Sequence, residues 1–291
     1  MNDRRTTRLR TTIAKRLPQA IVPYGRRAMR HWDQITGYPS SGKRPGVVLM
    51  LHIGRCGSTV LANQLDQNPK IYWDAKLHRK AHNLYRDAKS LDYAVWTKRQ
   101  FLISGDKYYG FEFKILQDQY PAILGTTTKQ FLEQCKLIGI THYILLKRRN
   151  TLRHIVSHYA SINRQKWHIS NIDNVKPKRF TIDINNISTG SASGRSLVEY
   201  LQEVDNTHNE TKEILNDQMI LEIEYESDID KNGPEFAYKK ICEYLGIELA
   251  DVEVENIKAN PFPMRTTVQN YDEIAQKLKG TNFEWMLEGE C

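Results

Sequence analysis

Two stretches of the chain carry residue types that can hold an anion. The first is Gly54-Arg-Cys-Gly-Ser-Thr59, which follows the apolar run Val47–Leu51 and precedes a helical pattern with Leu61 and Leu65 one turn apart. An apolar run of this kind predicts a strand buried on both faces of a parallel sheet. Glycines let a backbone come close to a ligand, and the free N–H groups and dipole of a helix N-terminus favour negative charge. A strand, a glycine turn and a helix start bearing Ser58 and Thr59 therefore predict a cradle for a phosphate or phosphate-like group. The second stretch is Lys147-Arg-Arg-Asn150, at the end of the strand candidate Tyr143–Lys147, with Ser157 eight positions beyond Arg149. Asn150 is a good helix N-cap residue. Arg149, Arg153 and Ser157 are spaced by four and share a face if the helix extends back far enough; an arginine fork beside a hydroxyl suits a second phosphate.

The first loop is not a nucleoside-triphosphate loop of the Gly-x-x-x-x-Gly-Lys-Ser/Thr kind. That loop needs a Lys for the β- and γ-phosphates and a Ser/Thr for magnesium. Here Gly57 stands immediately before Ser58, the cation is Arg55 inside the turn, and the strand Tyr143–Lys147 ends in bases where an acidic magnesium ligand would be expected. These features count against a kinase or NTPase.

The elements that must carry the two stretches alternate in type. Asn68-Pro69 signals a turn, Ile71–Trp73 a short strand, and Asp74–Lys98 a polar segment that is helical in places. Tyr108–Ile115 alternates as a strand, Lys129–Leu137 reads as a helix capped by Gly139, and Leu152, Ile155, Val156, Tyr159 and Ala160 form a helical stripe. Residues 165–194 hold no period and read as a long loop that is either functional or disordered. A helix over Leu197–Leu215, a strand over Met219–Tyr225, a helix over Phe236–Leu245 ended by Gly246, and a capping box Asn270-Tyr-Asp-Glu273 opening a helix through Leu278 complete the chain. Strands alternating with helices predict an α/β fold with a central, mostly parallel sheet flanked by helices.

The chain has 291 residues and a formal net charge of +8, so anionic ligands are expected. Four cysteines without metal-ligand spacing or pairing suggest neither a metal site nor a disulfide framework, and hence a reducing, cytoplasmic compartment. No apolar run reaches transmembrane length, and the N-terminus has no signal-peptide core. Met1–Trp32 is strongly basic with apolar residues interspersed, and Pro18 and Pro23 argue against one long helix. Residues 1–44 are thus expected to be a basic arm, with peripheral membrane contact as an alternative use of it, and residues 45–291 one domain.

Taken together the two stretches resemble the sulfotransferase superfamily that uses 3′-phosphoadenosine-5′-phosphosulfate (PAPS). Gly46–Leu65 resembles that family's loop for the 5′-phosphosulfate, and Tyr143–Ser157 its site for the 3′-phosphate. Leu221–Glu226 with Tyr244-Leu-Gly-Ile247, and the stretch Arg265–Ile274, resemble two further family segments, so the likeness spans about Pro45 to Leu287. It implies a P-loop-like three-layer fold and transfer of a sulfuryl group to an acceptor hydroxyl, leaving 3′-phosphoadenosine 5′-phosphate (PAP), with no metal. It further implies that Arg55, Cys56, Gly57, Ser58 and Thr59 hold the 5′ end, that Arg149 and Ser157 hold the 3′-phosphate, and that Arg265 is a third phosphate contact. Arg55 would also stabilise the leaving phosphate, and the general base would be Asp74 or His78. The acceptor expected from Asp74, the basic surface and the polar 165–194 loop is a glycan or glycolipid, not a nucleic acid. The competing readings are a P-loop nucleotide kinase and a non-enzymatic basic protein that binds nucleic acid or membrane.

Overall fold

A strand inside a parallel sheet must be apolar on both faces, and β1 (Val47–His52) is buried along its whole length. In the computed structural model, which describes residues 44–75, 77, 93–165, 177–189, 194–255 and 260–288, it is the middle strand of five. The others are β2 (Ile71–Trp73), β3 (Tyr108–Lys114), β4 (His142–Lys147) and β5 (Ile220–Glu224), in the order β2-β3-β1-β4-β5. Every neighbouring pair is parallel; Leu49 sits opposite Phe111 on one side and Tyr143 on the other.

The two-residue period of the strands sorts the core into two layers. Val47, Leu49 and Leu51 point to one face, where they meet α4 (Thr128–Ile138), α5 (Thr151–Arg164) and α6 (Leu197–Ile214) through Phe131, Ile155 and Leu201. Val48 and Met50 point to the other, against α1 (Ser58–Gln67) and α7 (Pro234–Leu245) through Leu61 and Ile241. The fold is therefore helix, sheet, helix. From β1 the chain crosses to β2 on one side, and from β3 it crosses to β4 on the other. Such a reversal opens a crevice at the carboxyl ends of the central strands, where the loop after β1 lies. The remaining helices are α2 (Tyr93–Gln100), α3 (Tyr120–Leu124), α8 (Met264–Thr267) and α9 (Tyr271–Leu278).

Most helix ends fall where the sequence predicts them. Gly139 (φ 93°) and Gly246 (φ 63°) close α4 and α7 in the left-handed conformation. The Asn150 side chain accepts the Arg153 N–H at the start of α5. The alternating stretch Tyr108–Ile115 forms β3 as expected, and because it lies between β2 and β1 it is mostly buried. One expectation needs correction. Asn270 opens α9 but makes no capping box: its Oδ1 accepts the Ile182 N–H (3.1 Å) and its Nδ2 donates to the Ile182 carbonyl (2.8 Å). It clamps part of the 165–194 loop, whose residues Phe180, Ile182, Ile184 and Ile187 are buried in the core. That loop is thus anchored by scattered apolar residues, although residues 166–176 and 190–193 lie outside the described part. Residues 1–43 of the basic arm also lie outside it. Among the described residues no helix is long and apolar enough to cross a membrane.

Gly110 on β3 faces Trp73 so closely that a Cβ there would stand 2.2 Å from the ring. Overpacking of this order costs about 1–3 kcal/mol. Gly110→Ala is expected to lower unfolding stability by that amount in a urea titration, since the indole has to move and β2 with it.

Candidate anion-binding site

The loop between β1 and α1 takes an unusual path. Gly54 (φ 85°), Arg55 (φ 50°) and Gly57 (φ 88°) all lie in the left-handed region, which a non-glycine residue enters only at a cost. Gly57 is constrained twice, because a Cβ there would also meet Ile229 Cδ1 at 2.7 Å. The turn delivers Ser58, buried, and Thr59, half-buried, to the first turn of α1, which has no acidic residue. Cys56 is fully buried beneath it.

Neighbouring elements hold this path from several sides. Gln119 Nε2, from the turn after β3, donates to the Ile53 carbonyl at 3.0 Å. His52, at the end of β1, is buried under the loop; its Nδ1 accepts the Gly54 N–H at 2.9 Å and its Nε2 lies 3.2 Å from Glu112 Oε2. Burial opposes a charge on this imidazole, but hydrogen bonds to Cys56 and Glu112 outweigh it and push its pKa up to about 9. The hydrogen-bond geometry opposes that charge: the Gly54 N–H needs a lone pair at Nδ1, which leaves the ring proton on Nε2, facing Glu112. Arg148 Nη1 donates to the Arg55 carbonyl at 3.0 Å.

The two sequence stretches meet through their side chains. Arg55 Nε donates to Ser157 Oγ at 3.1 Å, across 102 positions of chain. Burial, with Arg148 and Arg164 adding repulsion, pushes the Arg55 guanidinium down to about 10. Lys114, at the end of β3, brings its Nζ within 3.7 Å of where a Gly54 Cβ would stand. His158, one position past Ser157, is pushed down to about 4 by burial and by the charges of Arg55 and Lys114. His154 is held well below the ordinary imidazole value by burial and by His158, Arg148, Arg55 and Lys114, and is a core residue stacked on Tyr200. The field at this end of the sheet is strongly positive, and a negative group would relieve it.

Other predicted residues have other surroundings. Because α5 begins at Thr151, Arg149 precedes the helix and does not share a face with Arg153. Arg153 is buried and donates to the Phe262 carbonyl at 3.0 Å. Arg149 is exposed, and its guanidinium lies 5.6 Å from the Trp285 ring. Arg265, on α8, lies 4.3 Å from the Tyr271 ring and 3.7 Å from Asp272 Oδ1. Asp74 is buried at the end of β2, where its Oδ2 accepts the Tyr109 hydroxyl proton at 3.0 Å. Trp73 pairs with Gly110, whereas His52 pairs with Lys114, so Asp74 leaves the sheet roughly 10 Å short of the loop along the strands, at about 3.3 Å per residue. His78 lies outside the described residues.

Sequence reasoning missed several supports. Arg148 reads as part of a solvated basic run but is buried, 4.3 Å from the Tyr225 ring. Glu226 takes the N–H groups of Arg149 (2.9 Å) and Asn150 (3.0 Å), fixing the start of the second stretch. It lies on a π-helical turn, Tyr225–Lys231, that also supplies Ile229 against Gly57. The Tyr225-Glu226 pair was a signal for this turn; Gln119 and Trp285 had none.

No family model matches the chain, and no curated protein matches it in sequence. Among solved structures, the sulfotransferase from Alicyclobacillus acidocaldarius is similar with a TM-score of 0.44 at 13% identity, over 85% of this chain and 95% of that one. The sulfotransferase domain of the Synechococcus PCC 7002 olefin synthase gives 0.42 at 14% identity, over 73% and 78%. The sulfotransferase domain from the curacin biosynthetic pathway gives 0.39 at 13% identity, over 72% and 76%.

Gly57→Ala is expected to displace the loop, since the new Cβ meets both an unfavourable φ and Ile229. Sulfate added to the parent should raise its melting temperature; the variant should lose most of that increment and about 1–3 kcal/mol of stability.

Proposed function

We propose that the chain is a sulfotransferase that takes a sulfuryl group from PAPS and passes it to an acceptor hydroxyl of a glycan or glycolipid. The observation that carries this reading is the Arg55–Ser157 contact, which brings the glycine loop after β1 and a second basic stretch to one end of the sheet. A donor with a 5′-phosphosulfate and a 3′-phosphate has two anionic ends to match two such stretches. A single-phosphate ligand would leave the second without a purpose.

In this reading the N–H groups from Cys56 to Thr59, with the Ser58 and Thr59 hydroxyls, bind the 5′-phosphate. Arg149 and Ser157 receive the 3′-phosphate, and Arg265 is a third contact to it. The acceptor oxygen attacks sulfur in line. The bond between sulfur and the bridging phosphate oxygen breaks, and its electron pair leaves with PAP. Arg55 neutralises the charge gathering on that oxygen. The acceptor proton goes to a base, assigned to Asp74 or His78. Because Arg55 is buried among cations, its attraction for the departing phosphate is little screened.

Calorimetric titration with PAP tests the donor half. The parent should bind, and Arg55→Ala and Ser157→Ala should each weaken binding at least about tenfold, as expected for loss of a hydrogen bond to a charged group. Absence of PAP binding by the parent would overturn the reading. For the base, Asp74→Asn retains an oxygen to accept the Tyr109 hydroxyl, so stability should change little. If Asp74 is the base, sulfation of the accepting glycan should fall about 100-fold or more; unchanged turnover would assign the role to His78.

A further inference from the structure

Arg149 is exposed but not loose. Its N–H and that of Asn150 are both held by the Glu226 carboxylate. Its guanidinium lies against the Trp285 ring and, among the described residues, meets no carboxylate. The ring belongs to a short 3₁₀ turn, Glu284–Leu287, far along the chain. That turn is fixed to the start of α5: Asn150 Nδ2 donates to the Met286 carbonyl at 2.9 Å, and Met286 is buried. Tyr271 Oη donates to the Leu287 carbonyl at 3.2 Å. Yet Trp285 itself stays 41% exposed. Anchored neighbours thus present an open indole beside an open guanidinium. Arg148, the preceding residue, reaches the other way to the Arg55 carbonyl, so loop, Arg148, Arg149 and Trp285 form a continuous line.

A guanidinium resting on an aromatic face keeps its direction while its N–H edge stays available, and the ring does not compete for hydrogen bonds. A carboxylate partner would fix the side chain equally well but would cancel the charge a phosphate needs. Resting on the sulfotransferase reading, in which Arg149 holds the monoester phosphate on the ribose of the donor, we propose that Trp285 is the positioning residue that aims Arg149 at that phosphate. Trp285 acts through Arg149 and does not touch the purine.

The test compares PAP with adenosine 5′-monophosphate, which lacks the ribose monoester. Dissociation constants are measured by calorimetry for the parent, Trp285→Ala, Trp285→Phe, Arg149→Gln and the Trp285→Ala/Arg149→Gln double variant, with circular dichroism to verify folding. Trp285→Ala is expected to weaken PAP about three- to tenfold, in the range of an exposed-to-desolvated cation–π contact, and to leave the monophosphate within about twofold. Trp285→Phe should recover most of the loss, and Trp285→Ala should add little once Arg149 is gone. Equal losses for both nucleotides would mean that the ring contacts the base, and additive losses would mean that it acts independently of Arg149; either overturns the proposal. Unchanged PAP affinity in Trp285→Ala overturns it while leaving the sulfotransferase reading intact, whereas a parent that binds no PAP overturns both.

Discussion

Like charges set the terms of this site. Burial, with repulsion from Arg148 and Arg164 added to it, lowers the Arg55 pKa, and burial together with the same field, joined by Lys114, keeps His158 and His154 neutral. Such an arrangement is electrostatically unfavourable by itself, and an entering negative charge would be attracted to each cation and offset their mutual repulsion. The surrounding structure can be understood as what keeps these groups from moving apart.

That task is divided among elements distant in sequence. The left-handed turn from Gly54 to Gly57 has few internal hydrogen bonds to hold it, so its polar groups are taken by others: Ile53 by Gln119, Gly54 by His52, Arg55 by Arg148. The π-helical turn after β5 closes the ring. Ile229 fills the space that a Cβ at Gly57 would need, and Glu226 fixes the N–H groups that aim the second stretch. Residues commonly read as supports are thereby coupled to the loop, since a shift in any brace moves Arg55, Ser58 and Thr59 with it.

The division also explains why one basic run contains residues with different duties. Lys147 is half-buried at the end of its strand near Asp205, Arg148 turns inward to the loop, and Arg149 turns outward to Trp285. Alternation at the strand end turns Arg148 away from the side of Lys147, and the chain beyond β4, held at Arg149 and Asn150 by Glu226, takes Arg149 to a third environment.

The sequence alone determined the architecture and the place of the glycine turn between β1 and α1 that we propose as an anion loop. Apolar runs long enough for strands, glycines at helix ends and Asn150 before α5 are local signals, and the local physics of period and capping made them legible. It also determined that two basic, hydroxyl-bearing stretches exist. Only the tertiary structure decided that they meet at Arg55 and Ser157, that Arg148 is buried, that Asn270 clamps Ile182, and that Trp285 stands beside Arg149. Those are contacts between residues 88 to 136 positions apart on the chain, or choices of side-chain direction within one run. Neither is encoded in local spacing: long-range contacts follow from strand order, and the direction of a charged side chain follows from which partner lowers its free energy once the strands are in place.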